Sequence, residues 1–346
     1  MVRVGIVGCG AVTERLHLPA VLSSTMVRLE ALVDTAPGRA ARLAASVGVE
    51  HGFTDMGALI GTVDVAILAL PNSMHLEAVR TLAQEGIHVL VEKPMARTVD
   101  ECEAMIAAAA GHGIVLSIAH VRRFFPWVEL VREWLASGFL GRLESIDWRE
   151  GQPYRWPVLS SLPFDRDAAG GGVLIDVGSH VFDLLRWWRG EGGVVSYEDD
   201  ALGGVEADCV AHLRDRHGCE ARVELSRTRD LRNTVVFTGD RATLEVTLEY
   251  DATITLGMRD RGSALAGSVR AQRAPIALIP QSWPMVAAFV EQIDQFAAAT
   301  RGEPAAIVSG DDGMAAVALV ERCYASRGGL IDPFPLPTTS SPAEIA

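Results

Sequence analysis

One lysine, Lys93, stands against 30 arginines in this 346-residue sequence. Wherever only a positive charge is needed the chain uses arginine, so Lys93 raises the question of what arginine cannot do there. Arginine keeps its proton over the usable pH range, whereas a lysine ammonium is tuned by its surroundings to share one or give one up. Codon bias with a chance survivor explains the same count, and composition alone weighs the two readings equally. Cysteine is scarce as well. Cys9, Cys102, Cys209, Cys219 and Cys323 are odd in number, form no CxxC pair and sit in no Cys/His cluster of zinc spacing. That pattern excludes a disulfide framework and a structural zinc, and leaves buried reduced thiols and no metal as the expectation. No charged-then-apolar leader opens the chain, and no apolar run reaches the ~20 residues a bilayer span needs. A cytoplasmic location with no membrane partner is therefore expected. Positive charge is in deficit overall: the net charge of −13 repels a nucleic-acid backbone or an anionic membrane.

What the sequence does have is apolar mass, 49% hydrophobic against 22% charged residues, which reads as globular. Its length suggests about two domains. The first ~120 residues alternate short apolar runs with helical stretches. The runs are Val2–Val7, Leu29–Val33, Val65–Leu70, His88–Val91 and Ile114–Ile118; helices fit near 11–23, 37–46, 73–85 and 98–111. Continuous Val/Ile/Leu runs suit strands buried on both faces, and the alternation means βαβ units with a parallel sheet.

After residue 120 the pattern changes. Trp127, Leu130, Val131 and Trp134 fall at helical spacing near 126–137, and Gly170-Gly171-Gly172 opens a helix running to about Trp188. From 193 to 256 the sequence alternates in and out, Cys209, Ala211 and Leu213 against Val210, His212 and Arg214. That is an antiparallel sheet with one wetter face. Helices near 283–300 and 310–327 follow, then a Pro/Ser-rich tail. The expected architecture is an α/β Rossmann-type dinucleotide-binding domain over 1–120, an α+β domain with a large, mainly antiparallel open sheet over 121–331, and a flexible tail over 332–346.

The first run ends in Gly8-Cys9-Gly10-Ala11-Val12-Thr13 directly before a helix. Glycines one and three of such a turn permit tight reversal and close backbone approach to a pyrophosphate, which then faces the helix N-terminus. Thr13 stands where a third glycine is usual, so the string alone is weak. Its context is stronger: the second run ends in Asp34, roughly 20 residues on, where a carboxylate binds ribose hydroxyls. A carboxylate there also repels the extra phosphate of NADP, which favours NAD; the bland reading of Asp34 is a helix N-cap ahead of Pro37. Two further strand ends, Leu70-Pro71-Asn72 and Glu92-Lys93-Pro94, lie at the carboxyl edge where open α/β sheets bind ligands. A cis bond at Pro94 would fix the direction of Lys93.

Asp176 and His180 are four apart on the helix after the triple glycine, so they share one face, and Asp183 extends it. A carboxylate beside an imidazole raises its basicity and orients it, as a proton acceptor working near neutral pH requires. The bland reading is an ordinary surface Asp–His pair; the glycines favour the functional one by letting backbone crowd against a ligand. His51, His112, His212 and His217 have no such partners and read as surface or loop residues.

Taken in order, these pieces resemble the Gfo/Idh/MocA family (glucose–fructose oxidoreductase, inositol dehydrogenase and MocA). The resemblance rests on Gly5 to Gly10, His17-Leu18-Pro19-Ala20, Leu70-Pro71-Asn72 with His75, Glu92-Lys93-Pro94, Ala119-His120-Val121-Arg122-Arg123-Phe124, and Gly170 through His180 with Asp183. It implies that Gly8, Gly10, Ala11, Val12, Asp34, Pro71, Asn72, His75 and Glu92 line the cofactor, and that Lys93, Asp176 and His180 carry catalysis. The implied activity is NAD-dependent hydride transfer at a secondary alcohol or ketone of a sugar, cyclitol or related polyol, in a homodimer or homotetramer joined through the open sheet. Arg122 and Arg123 are candidate substrate clamps, with surface salt bridges as the alternative. Tyr154 and Trp156, in the loop before the triple glycine, are candidate sugar-stacking groups. Two rival functions stay open: an enzyme that oxidises a sugar transiently to permit elimination or glycosidic cleavage, and a non-catalytic dinucleotide sensor.

Overall fold

The computed structural model describes residues 1–330 except 159, 261–262, 272–275 and 281; the tail expected over 332–346 lies outside the described residues. The apolar runs of the first part become β1 (Val2–Val7), β2 (Val27–Val33), β3 (His51–Phe53), β4 (Val65–Leu68), β5 (His88–Val91) and β6 (Leu116–Ile118). They form one all-parallel sheet in the order β3-β2-β1-β4-β5-β6. The order reverses at β1, so a crevice opens beside the carboxyl end of that strand. Four helices connect the strands: α1 (Leu18–Ser23), α2 (Arg39–Ser46), α3 (His75–Gln84) and α4 (Val99–His112). In α4, Thr98 accepts the Glu101 amide as N-cap and Gly113 closes the helix in the left-handed conformation, φ 66°, as helix termini demand.

Beyond residue 120 come α5 (Pro126–Ala136), β7 (Leu143–Gly151), α6 (Arg166–Ala169), α7 (Ser179–Arg189), β8 (Gly192–Asp199), β9 (Asp208–Asp215), β10 (Glu220–Ser226), β11 (Thr234–Gly239), β12 (Ala242–Thr247), β13 (Thr253–Asp260), β14 (Ser263–Arg270), α8 (Val286–Thr300), α9 (Gly310–Ala325) and β15 (Arg327–Gly329). The strands make one nine-stranded sheet, β14-β13-β12-β11-β7-β10-β9-β8-β15. All neighbours are antiparallel except β7 with β10 and β8 with β15. Strand β7, which the alternation after 193 does not reveal, sits mid-sheet. Its apolar alternation is only Ile146 and Trp148, set between charged residues.

The inner face of this sheet packs on α5 and α7 through Trp127, Trp148, Trp188 and Phe237, whose rings lie 5.4–6.4 Å apart. Each is buried, and such aromatic clusters contribute beyond their buried area. The last two helices return to the first sheet: α8 packs on α1 and α9 on α4. Ser117, in β6, forms a bridge to Ser309. The helical stretch Arg166–Arg189 is long and apolar enough to compare with a bilayer span, but 72% of its apolar window is buried inside the protein. It is the core helix of the second layer.

Candidate active site

The turn after β1 builds one wall of the crevice. Gly8 has φ 96°, and a Cβ there would lie 2.1 Å from the Ala69 carbonyl oxygen, so only glycine fits. At Gly10 a Cβ would meet nothing within 4 Å. The empty space beside Gly10 is therefore not a requirement of the protein's own packing, and it is where a pyrophosphate would approach. Thr13 is fully buried and its hydroxyl donates to the Gly8 carbonyl at 2.5 Å, which explains a hydroxyl where a third glycine is usual. Ala11 lines an open cleft of about 360 Å³ together with Glu14, Arg15, Arg39, Arg42 and Pro157. Val12 precedes a single π-turn, Thr13–His17, that starts the helix.

Asp34, at the end of β2, braces this turn. Its carboxylate accepts the Cys9 amide at 2.9 Å and the Ala36 amide at 2.8 Å, and meets the Arg39 guanidinium at 3.3 Å. It is not the N-cap of α2, which is Gly38. Its charge is partly offset by Arg39, so repulsion of an added phosphate is weaker than the sequence alone implies.

Two expected cofactor residues have their side chains engaged within the protein. His75 is fully buried, with its ring nitrogens 3.1 and 3.0 Å from the Met95 and Leu70 carbonyl oxygens; it clasps two loops and presents nothing to a ligand. Burial holds it below the ordinary imidazole value. Glu92 is bonded to His17 at 2.7 Å and accepts the Lys93 amide at 3.0 Å. Burial opposes its ionisation, yet His17 and Lys93 together bring its carboxyl below the ordinary range. The Glu92 carboxylate is thus engaged by the His17 ring and the neighbouring main-chain amide. Pro71 precedes a 3-10 turn at Asn72–Met74, and the Asn72 amide donates to the Ala169 carbonyl at 2.7 Å, tying the two layers together.

Lys93 follows β5, and its bond to Pro94 is cis. The ammonium reaches into the second layer, 2.6 Å from the Asp176 carboxylate and 3.1 Å from the Asp176 carbonyl. Asp176 also binds Arg227 through its second oxygen. Burial works against ionisation of Asp176, but the Lys93 and Arg227 charges hold its carboxyl far below the ordinary carboxylate range. The Lys93 and Asp176 side chains are 18% and 41% exposed, so a ligand can reach the pair.

The expected Asp176–His180 support is absent, because the Asp176 carboxylate, in the π-turn Leu174–Gly178, is taken by Lys93 and Arg227. Asp176 turns to Lys93, and His180 is left with Nδ1 buried and without a partner among the described residues. Burial, then the Lys93, Arg122 and His120 charges, keep the His180 ring well below the ordinary imidazole value. It is a neutral group near pH 7, able to accept a proton. The triple glycine has a different reason from the expected one too. A Cβ at Gly171 would lie 2.0 Å from the Tyr324 hydroxyl, and one at Gly172 would lie 1.9 Å from the Glu206 carbonyl oxygen. The glycines crowd against protein, not ligand. The Glu206 carboxylate accepts the Gly172 and Leu174 amides and the Tyr324 hydroxyl, fixing where the helix begins.

Of the expected substrate groups, Arg122 makes a bidentate pair with Glu150 at 2.8 and 2.6 Å, with its charge still facing His180. Arg123 is corrected to a structural pin: it forks onto Asp183 at 2.8 and 2.5 Å and reaches Asp312, all within the protein. Tyr154 lies beside the Lys93–Asp176–Arg227 cluster, its ring 5.1 Å from the Arg227 guanidinium. Trp156 lies apart from that cluster, where it and Trp283 flank Arg15 at 5.6 and 5.5 Å. Sequence reasoning missed Arg227, Glu206 and Arg15. None carries a motif, because each acts through a partner distant in the chain.

Two family models match this chain. One describes an oxidoreductase family with an NAD-binding Rossmann fold and covers residues 2–120; the other is the C-terminal domain of the same Gfo/Idh/MocA group and covers 128–245. The chain is 31% identical over 194 residues to the rhizopine catabolism protein MocA of Rhizobium meliloti, 55% of this chain and 57% of that one. It thus spans little more than half of that relative. It is 30% identical over 227 residues to D-xylose 1-dehydrogenase (NADP(+)) 2 of Haloferax volcanii, covering 64% of this chain and 68% of the other. Among solved structures it superposes on KijD10, a 3-ketoreductase from Actinomadura kijaniata in complex with NADP and TDP-benzene, with a TM-score of 0.81 at 21% identity over 95% and 98% of the two chains.

Proposed function

Because this chain belongs to the Gfo/Idh/MocA oxidoreductase family, we propose that it transfers a hydride between NAD and a secondary alcohol or ketone carbon of a sugar, cyclitol or sugar derivative. The observation that carries this reading is the Lys93–Asp176 pair, 2.6 Å long and reaching from the end of one sheet's strand to the helix of the other layer, with His180 one turn further on.

The residues fit a dinucleotide. The space at Gly10, the amides at the start of the following helix and the Asp34 carboxylate match a pyrophosphate and an adenosine ribose. When bound, the dinucleotide supplies the carbon that accepts or returns hydride. The chain's own residues handle the proton. Loss of hydride from a carbinol carbon requires the hydroxyl proton to leave as well. His180, buried and neutral, takes that proton in our reading. Lys93 donates a hydrogen bond to the same oxygen and stabilises the negative charge developing there, while Asp176 and Arg227 aim the ammonium. Arginine would serve poorly at position 93, because its planar fork cannot converge on one oxygen as a compact ammonium does. NAD is the proposed coenzyme in preference to NADP on the strength of Asp34, and a homodimer or homotetramer joined through the open sheet is the proposed assembly, working in the cytoplasm on a small sugar or polyol with no nucleic-acid or membrane partner.

A panel of cyclitols, aldoses, glycosides and sugar acids, followed by NADH absorbance with NAD and NADP in parallel, tests the reading. Accumulation of NADH with at least one member is the expected result. Coenzyme binding with no oxidation or reduction anywhere in the panel would remove the assignment, and preference for NADP would remove the role given to Asp34.

A further inference from the structure

His120 is the buried group that the scheme above does not use. It is 1% exposed and sits where the chain leaves β6, just before a 3-10 turn at Val121–Phe124. Neither of its ring nitrogens has a hydrogen-bond partner among the described residues. A neutral imidazole carries one donor and one acceptor, and leaving either buried and unpaired costs about 1–3 kcal/mol. Its ring stands edge to face with that of His180, centroids 5.5 Å apart at 77°. His180 Nδ1 is likewise unpartnered, so three orphaned ring nitrogens fall in one place.

The other groups facing His120 are already engaged. Lys93 and Glu92 come from the end of β5, one bonded to Asp176 and the other to His17. Asp183, on α7, is gripped by Arg123 from the turn that follows His120. Arg122, from the same turn, is held by Glu150. Of the titratable groups facing His120 among the described residues, the His180 ring is the one not already engaged. With His180 Nδ1 enclosed, Nε2 is the nitrogen left to face a substrate hydroxyl. For Nε2 to accept a proton, Nδ1 must carry the hydrogen, and that N–H needs an acceptor. Asp176, the acceptor expected from sequence, is turned away.

We infer that His120 is that acceptor, and that His120 and His180 form a two-imidazole unit holding one proton between them. The inference rests on the hydride-transfer reading above. The ring separation allows a hydrogen bond made directly after a small rotation or through one bridging water. The balance is simple. The carbinol C–H bond breaks with its electron pair going to the nicotinamide, and the O–H electrons become the second C–O bond. The hydroxyl proton goes to His180 Nε2, and the Nδ1 proton passes to His120. His120 acts through His180, so it is a positioning and proton-sharing residue.

The test does not need the substrate. Ring nitrogens of 15N-labelled protein are followed by NMR against pH, with His120→Phe and His180→Phe identifying the two rings. In the native protein both rings should shift together in each macroscopic step, as coupled sites do. In His120→Phe, His180 should titrate alone, with a midpoint moved from that of the shared native curve. Independent titration of the two rings, or a His180 curve unchanged in His120→Phe, overturns the inference. With whichever panel compound is turned over, His120→Phe should lose about 10–100-fold in kcat, with KM and NADH affinity within about threefold. His120→Gln, which accepts the hydrogen bond but cannot hold the proton, should recover only part of that loss; full native rates in His120→Gln would overturn proton sharing. NADH affinity reports the fold of each variant. If the native protein bound NADH but oxidised nothing, the reaction assignment would fall while the NMR result still decided the pairing.

Discussion

Two helices in this molecule start with a π-turn, and they treat their polar side chains in opposite ways. At Thr13–His17, beside the coenzyme crevice, the side chains bond close to hand, with His17 Nδ1 left unpartnered among the described residues. Thr13 bonds the Gly8 carbonyl, and His17 is held by Glu92 with its ring against Phe289 of α8. At Leu174–Gly178 the side chains reach out. Asp176 crosses to Lys93 and Arg227, and one turn on His180 keeps an unpaired nitrogen beside His120. A surface that cradles a ligand with backbone gains from being rigid and self-satisfied beforehand. A reacting centre needs groups whose protons and charges are not already fixed by permanent partners.

The sharpest way to break this contrast is to remove the group that spans it. Lys93→Ala should lower turnover of a panel substrate by about 10³-fold, with NADH affinity changed less than about threefold. Lys93→Arg should restore little of that rate, since it returns the charge without the geometry. Near-native turnover in either variant would show that the crossing pair is merely structural.

How much of this was legible beforehand follows the same division. The parallel strands, the glycine turn, Asp34 and Lys93-Pro94 are short-range features, each written within a few residues, and the sheet forms around them. Strand β3 is only three residues long, and β7 shows three apolar side chains, unevenly spaced among charges, so neither declares itself locally. At the proposed reacting centre the partners of Asp176, Arg123 and His75 were not readable. Spacing rules place Asp176 and His180 on one face, but they cannot show that Lys93 and Arg227, 83 and 51 residues away, take the carboxylate. The triple glycine was visible, whereas its cause lay in Glu206 and Tyr324, 34 and about 150 residues away.

The two glycines of the coenzyme turn sharpen the comparison on the self-satisfied side. Gly8→Ala forces a Cβ into the Ala69 carbonyl at positive φ and should cost roughly 2–4 kcal/mol, seen as a melting temperature lower by many degrees. Gly10→Ala adds a methyl to open space; its melting temperature should stay native while NADH binding weakens about tenfold or more. Equal losses of stability in the two variants would mean that Gly10 serves packing and not a ligand.

Acidity probes both regions at once. Burial foremost keeps His75, His120 and His180 below their ordinary imidazole value. The unfolded chain therefore takes up protons that the folded chain refuses. Stability should be complete above about pH 6.5 and decline as pH falls below it, by at most ~1.4 kcal/mol per pH unit for each such histidine. Glu92 and Asp176, lowered by their cationic partners, add a second loss once pH drops below the ordinary carboxylate range. A melting temperature that stays level from about pH 8 to 5.5 would contradict the burial of these rings.

The smallest expected effect tests whether the coenzyme turn's self-satisfaction has anything to do with binding. Thr13→Val keeps the shape of the side chain but removes the hydroxyl that caps the Gly8 carbonyl. An intramolecular hydrogen bond contributes about 1 kcal/mol net, so a melting temperature a few degrees lower is the expected outcome. If the turn is held by glycine geometry and by the Asp34 carboxylate on the Cys9 amide, NADH affinity should not move. A loss of affinity much larger than the loss of stability would show that Thr13 shapes the dinucleotide site itself. The threonine would then be a functional replacement for the missing third glycine, and the line drawn between a self-satisfied wall and an open reacting centre would have to shift to include it.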